Sequence, residues 1–348
     1  MKRRIFLKSA GCFSVSSLSI FGARSSPAMN RVTVAPTLPP ALRPGMRIGV
    51  PAPASGVSKA DFESKLKSFS ISMNAIGLEL VIAKSVMADG TSFLAAPDEV
   101  RAAEFMEFVT RPDIHGIICM RGGYGLMRIL PLLDYDAIRE NPKIICGYSD
   151  ITALINTIYS RCNLLAFHGP IAAAELDDFT RKWFLPLVYS DGKQQTNSDS
   201  LEYSDPINLT TVSPGKARGR IVGGNLTLIT SLMGTPYDIN TEGSVLFLED
   251  VGEKAYRIDR MLTQMWLAGK LQSCKAIVLG QFTETEETNP TTSVQEVLGS
   301  RLSNLNIPIL GNFPIGHVTE KFTMPIGAMS EVDADNKKFS ILEPTVRV

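Results

Sequence analysis

Beyond residue 45 the apolar positions fall into a regular order. The stretch "MRIGVPAPA" (46–54) is an apolar run of strand length. It is followed by "KADFESKLKSFSISMNAIG" (59–77), where Phe62, Leu66, Phe69, Met73 and Ile76 share one helical face that Gly77 closes. The same grammar then repeats. Strands are expected at "LELVIA" (78–83), "HGIICM" (115–120), "KIICGY" (143–148) and "LLAFH" (164–168). Helices are expected at about 97–110, around "GLMRILPLL" (125–133) and at "ITALINTIYSRC" (151–162). Strands alternating with helices imply a parallel sheet with helices on both faces.

The pattern lapses over 188–216, "VYSDGKQQTNSDSLEYSDPINLTTVSPGK", a polar stretch rich in Ser, Asp and Asn that reads as an inter-domain linker. A second α/β unit follows. It holds "ARGRIVGGN" (217–225), a helix near "LTLITSLMG" (226–234), the strand "SVLFLE" (244–249), the helix "YRIDRMLTQMWLAG" (256–269) and the strand "KAIVLGQF" (275–282). The closing "TMPIGAMSEVDADNKKFSILEP" (323–344) has the form of an antiparallel hairpin around Asp335 and Asn336. The expected layout is thus α/β throughout: a parallel-sheet domain over 46–187, the linker, and a second domain with some antiparallel strands over 217–348.

Residues 1–29, "MKRRIFLKSAGCFSVSSLSIFGARSSPAM", belong to another category, with a basic start, a short apolar middle and small residues near Ala28. Arg3 and Arg4 followed by Ile5, Phe6, Leu7 and Lys8 resemble a twin-arginine export signal, which implies a periplasmic protein; a non-functional signal would leave it in the cytoplasm. A Pro-rich connector spans 30–45. Cys12 precedes most of the apolar stretch, which argues against a lipidated cysteine.

Composition narrows the chemistry. With 35 basic and 35 acidic residues in 348, the chain lacks the basic footprint of a nucleic-acid binder. The five cysteines show no C-x-x-C or Cys/His clustering, so no metal site and no cofactor are expected. Past the signal no apolar run is long enough to span a bilayer, so no stable membrane association is expected after export.

The strand "KIICGY" ends in a glycine, offers Ser149, and turns at once into a helix. Gly147, Tyr148 and Ser149 supply the first members of a G-x-S-x-G elbow, but Ile151 replaces its last glycine. On these residues alone a helix cap, Ser149 or Asp150 at the start of "ITALINTIYS", is the preferred reading. A nucleophilic serine needs a base and a group to orient that base. His115 precedes its strand, on the wrong edge for a ligand site, whereas His168 and His317 both stand at strand exits, and spacing does not choose between them. Glu249 ends an apolar strand, where it or Asp250 must find a partner, unless the pair caps the following helix. The loop "MRGGYG" (120–125) ends another strand on the same edge and can hold an anion on its backbone N–H groups, although it matches neither phosphate-loop pattern. Beside a serine nucleophile, N–H groups of Gly123 and Asp150 would make an oxyanion hole.

Taken in order, "RGGYG", "CGYSD", "FHGP", "GGNLT", "GTPYDI", "LFLEDVGEKAYRIDRML" and "FPIGH" resemble the LD-carboxypeptidase family of serine peptidases, which includes muramoyltetrapeptide carboxypeptidases and microcin-immunity peptidases. The resemblance covers nearly everything after Pro44. It implies a Ser-Glu-His triad that falls on Ser149, Glu249 and His317, leaving His168 to line the pocket with Tyr124 and Asn225. It further implies a metal-free hydrolysis that releases terminal D-alanine from a peptidoglycan tetrapeptide, and a homodimer. Family members usually work in the cytoplasm, so an export signal is a departure. Two other readings follow from the same residues: a relative that cleaves a peptide-nucleotide antibiotic or another carboxamide, and a non-catalytic periplasmic binding protein.

Overall fold

The computed structural model describes residues 35–88, 93–191, 200–285 and 292–348. The expected export signal and the first residues of the connector lie outside them. No helix among the described residues is long and apolar enough to cross a membrane.

The first sheet has six strands, ordered in space as Met324–Ile326, Ala166–His168, Ile144–Gly147, Gly116–Ile118, Arg47–Val50 and Glu79–Ile82. All neighbours are parallel except the pair formed by Met324–Ile326 with Ala166–His168. The central strands are buried along their whole length, as strands covered on both faces must be, which is why they read as continuous apolar runs.

The second sheet has eight strands, ordered Leu201–Ser204, Lys338–Ile341, Met329–Asp333, Lys216–Asn225, Val245–Val251, Ala276–Thr283, Ile309–Gly311 and Thr210–Ser213. Its four strands from Lys216–Asn225 to Ile309–Gly311 run parallel, and antiparallel strands flank them on either side. The expected hairpin is present between Met329–Asp333 and Lys338–Ile341, turning through Asp335 and Asn336.

Three features depart from the sequence reading. The polar stretch taken as a linker contributes the strands Leu201–Ser204 and Thr210–Ser213, each closing one edge of the second sheet. Met324–Ile326, expected in the terminal hairpin, crosses instead to the first sheet. Helices Asp178–Val188 and Val294–Leu302 were not anticipated at all.

One apolar core runs continuously beneath both sheets, from Ile48 and Phe105 to Val245, Phe313 and Phe339, and a second fills the outer side of the second sheet around Leu246, Ile258 and Leu302. The joint between the sheets is polar as well as apolar. Asn156, on the helix Thr152–Cys162, donates to Gly223 O at 2.8 Å and accepts from Gly223 N at 3.2 Å. Gly224 lies so close to that helix that a Cβ on it would meet Thr152 at 2.6 Å. The helix after Ser149 is therefore seated directly on the second sheet's longest strand.

Candidate active site

Ser149 follows the strand Ile144–Gly147 and opens a 3-10 turn, Ser149–Ile151, that runs into the helix Thr152–Cys162. Its φ is +65°, a left-handed conformation that a side chain adopts only at a cost of about 1–3 kcal/mol. Gly147 permits the tight return, because a Cβ there would lie 2.9 Å from Ile151 Cγ2. A strained serine on a strand-to-helix turn is the geometry of a nucleophile elbow, reached here without the final glycine.

The glycine loop lies against this turn. A Cβ on Gly122 would meet Ser149 Cβ at 2.7 Å, Ser149 Oγ at 3.0 Å and Asp150 N at 3.1 Å. Gly123, at φ +107°, backs onto Ser55, whose hydroxyl donates to Phe93 O at 2.6 Å and accepts from Tyr124 N at 3.2 Å. Asp150 is buried and accepts from Leu126 N at 2.8 Å, so the residue after the serine caps the short helix leaving the loop. Burial pushes its carboxyl up to about 6, against the opposing effects of the Leu126 N–H and Arg101.

Arg101 supports the loop from beneath, and no sequence motif marks it. It is fully buried and donates from Nε to Ala96 O at 3.0 Å, from Nη1 to Gly125 O at 3.1 Å and to Pro53 O, and from Nη2 to Asp98. One guanidinium thus fastens the end of the first strand, the start of a helix and the glycine loop. An arginine at a helix start near Asp98 carries no such signal, since two of its partners, Pro53 O and Gly125 O, are backbone carbonyls remote in sequence.

Glu249 ends the apolar run of Val245–Val251 with no exposed surface, at a register irregularity between Leu248 and Asp250 in the pairing with Ala276–Thr283. Such bulges re-aim a side chain, and here it turns beneath the backbone of Gly316, where a Cβ would lie 2.6 Å from Glu249 Oε2. His317 Nδ1 is 2.8 Å from that same oxygen. On the opposite side, His168 Nε2 is 3.9 Å from Glu249 Oε1. Burial raises the Glu249 carboxyl, and the two imidazoles outweigh it, His168 from across the gap and then His317 by hydrogen bond, so that the net effect is a lowered value.

The loop carrying His317 is pinned at both ends by buried aromatics. Phe313 and Phe322 meet edge to face at 5.3 Å, and Phe322 packs on Trp183 at 5.0 Å and on Phe339 at 5.9 Å. Phe322 N closes the loop by donating to Pro314 O at 2.7 Å. The unanticipated helix Asp178–Val188 supplies Trp183 and so belongs to the support of the histidine.

Tyr148 connects the two halves of the site. Its ring centroid lies 5.0 Å from that of His317 and 6.0 Å from that of His168, and Lys321 Nζ stands 5.2 Å from it. Ser149 is the next residue in the chain, and no Ser149–His317 hydrogen bond is formed among the described residues. Burial, reinforced by the Glu249 charge, pushes the Tyr148 phenol up to about 12.

The remaining expected positions fall as follows. Asp250 is a cap, but for another helix than expected: it accepts from Thr227 N and Thr227 Oγ1 at 2.9 Å and from Asn225 Nδ2 at 3.1 Å, at the start of Leu226–Leu232. Asn225 is 3 % exposed, with its side chain donating to Asp250 and accepting from Leu228 N. Tyr124 is more than half exposed, with its ring 5.3 Å from that of Phe93. His168 is buried against Phe247 at 5.1 Å, and His115 accepts from Arg47 N at the opposite end of the first sheet's strands.

Comparison with known proteins identifies the family. Residues 48–169 match the LD-carboxypeptidase N-terminal domain, and residues 218–332 match the LD-carboxypeptidase C-terminal domain. The chain is 35% identical over 304 residues to the probable murein peptide carboxypeptidase of Bacillus subtilis, covering 86% of this chain and 92% of that protein. The chain belongs to the LD-carboxypeptidase family. The microcin C7 self-immunity protein MccF of Escherichia coli is 33% identical over 270 residues, covering 70% of this chain and 78% of that protein. Its solved complex with glutamyl sulfamoyl guanosine superposes with a TM-score of 0.81 at 28% identity, covering 90% of this chain and all of that one. The muramoyltetrapeptide carboxypeptidase of Oxalobacter formigenes superposes at 0.73 and 27% identity, covering 87% and 100%. The N-terminal match takes in five strands of the first sheet and the C-terminal match the parallel strands Val245–Val251, Ala276–Thr283 and Ile309–Gly311 of the second, and the LD-carboxypeptidase described here is a serine carboxypeptidase.

Proposed function

We propose that this carboxypeptidase hydrolyses the L,D-peptide bond that holds the terminal D-alanine of peptidoglycan (muramoyl) tetrapeptides, with Ser149, His317 and Glu249 as its triad. The observation that carries the reading is the 2.8 Å contact between His317 Nδ1 and a fully buried Glu249, with Ser149 at φ +65° directly after Tyr148, whose ring lies 5.0 Å from that of His317. A buried carboxylate on Nδ1 selects the tautomer whose Nε2 is free to take a proton.

In the proposed reaction His317 Nε2 removes the Ser149 hydroxyl proton as Oγ attacks the carbonyl carbon. The N–H groups of Gly123 and Asp150 receive the developing oxyanion. Collapse breaks the C–N bond, His317 returns the proton to the departing D-alanine amine, and an acyl-enzyme remains on Ser149. Water, deprotonated by His317, then releases the tripeptide acid. No step calls for a metal or cofactor. The twin-arginine-like signal at residues 1–29 supports a periplasmic site of action, and the family resemblance supports a homodimer.

Purified protein incubated with a defined tetrapeptide should release one D-alanine, read by mass spectrometry, while the analogue ending in L-alanine should remain intact. Cleavage of both at equal rates would reject the stereochemical assignment. The similarity to MccF favours a second reading, cleavage of a peptide-nucleotide antibiotic or another carboxamide. Turnover of an aminoacyl sulfamoyl nucleoside in the same assay, with the tetrapeptide untouched, would select it. A serine-directed fluorophosphonate that labels wild type and S149A equally would favour a binding protein.

A further inference from the structure

Two polar atoms face each other across the back of the site with nothing else to bond. His168 Nε2 and Glu249 Oε1 are both buried, neither has a hydrogen-bond partner among the described residues, and they stand 3.9 Å apart. Leaving a buried donor or acceptor unpaired costs about 1–3 kcal/mol each, and more for a charged group, so two such atoms in mutual reach call for an explanation. The surroundings permit few others. His168 lies on the aromatic edges of Phe247 at 5.1 Å and Tyr148 at 6.0 Å, and its backbone is fixed by pairing with Gly147 on one side and Met324 on the other. The other carboxylate oxygen of Glu249 is already taken by His317.

Resting on the triad reading above, we propose that His168 is a positioning residue that donates from Nε2–H to Glu249 Oε1, so that the carboxylate is gripped between two imidazoles. An ionised carboxylate with one oxygen unpaired in a dry pocket can turn about its terminal torsion, and such a turn would carry Oε2 away from His317. A donor on Oε1 removes that freedom and keeps the negative charge compensated. Closing the 3.9 Å separation to ordinary hydrogen-bond length needs a tilt of the ring by roughly 1 Å, within the reach of a side chain whose backbone stays in place. His168 touches no reacting atom in this scheme. It acts on Ser149 only through Glu249 and His317.

The arrangement also accounts for a feature the sequence left open. His168 and His317 both stand at strand exits, and either would serve as base by position alone. Placed on opposite oxygens of one carboxylate, they divide the work: His317, with its side chain about a fifth exposed, faces the cleft, and His168, almost wholly buried, faces the scaffold.

The test uses the wild-type protein first. In histidine-labelled protein the ring nitrogens of His168 are assigned by nuclear magnetic resonance. A proton on Nε2, in the neutral or the doubly protonated ring, supports the proposal, and a bare Nε2 overturns it. The variants H168F and H168Q then separate positioning from simple packing, since the glutamine amide can donate from nearly the same point and phenylalanine cannot. H168F should lower kcat about ten- to a hundredfold with KM changed less than about twofold, and H168Q should recover most of the loss. Equal losses in both variants would reject the positioning role. Because the tautomer is read without substrate, a failure of this inference is distinguishable from a failure of the triad assignment, which S149A decides.

Discussion

Gly122 and Ser149 are in backbone-limited contact: a single added methyl on Gly122 would lie 2.7 Å from Ser149 Cβ and 3.1 Å from Asp150 N. The contact joins the glycine loop to the turn that opens with Ser149, and nothing larger than hydrogen fits between them. G122A should therefore displace the serine or the loop. Overpacking of this kind costs about 1–3 kcal/mol, and a displacement near 1 Å at a reacting group about a hundredfold in rate. Thermal unfolding and kcat/KM measured together check both, and an active, fully stable G122A would show that the loop yields freely.

Phe322 supports His317 from a distance. Its ring is buried among Trp183, Phe313 and Phe339, and its N–H closes the histidine loop. F322A should lose about 3–5 kcal/mol of stability in denaturant titration. In the fraction that stays folded, kcat should fall, because the loop end that aims His317 has lost its anchor.

Asp150 and Glu249 should leave opposite marks on the pH dependence of stability. The Asp150 carboxyl is raised to about 6, above its value in the unfolded chain near 4. Its folded state therefore holds the proton more tightly, and the stability it contributes is complete below about pH 4 and is lost as pH rises through about 6. D150N should flatten that part of the profile, with the amide oxygen still able to accept from Leu126 N. Glu249 is lowered instead, so its contribution is present above the unfolded value and is lost as pH falls below it. Chemical denaturation across pH 3 to 7 checks both signs. A D150N profile as steep as wild type between pH 4 and 6 would contradict the first.

Arg101 should prove irreplaceable by lysine. Its guanidinium serves three backbone carbonyls and Asp98 with no exposed surface, a task for a planar fork rather than a single ammonium. R101K and R101M are each expected to lose about 2–4 kcal/mol, from carbonyls left unpaired in the interior. A fully stable R101K would show that the fork is not needed.

Much of this site was legible before any coordinates. A strand that breaks at Gly147 and offers Ser149, and another that ends in Glu249, are local patterns, because burial forces an apolar run and a function interrupts it. The edge strands Leu201–Ser204 and Thr210–Ser213 are hidden in a polar stretch, since an edge strand half in water needs no apolar alternation and takes its register from partners far along the chain, as Ser213 does from Ile309 and Ser204 from Lys338. Met324–Ile326 was misplaced for a related reason: its sequence suits either sheet, and only the packed chain decides. The helix Val294–Leu302 carries a readable signal, the Ser293–Glu296 capping box. Arg101 had none, because its role is written in carbonyls that any residue could supply.

The chemical identity of the nucleophile is the point on which the account stands. Full-length protein treated with a fluorophosphonate, digested and mapped by mass spectrometry should carry the adduct on Ser149. S149A should carry none and should turn over the tetrapeptide at least about 10⁴-fold more slowly than wild type. An adduct on a different serine, or S149A cleaving at the wild-type rate, would contradict it.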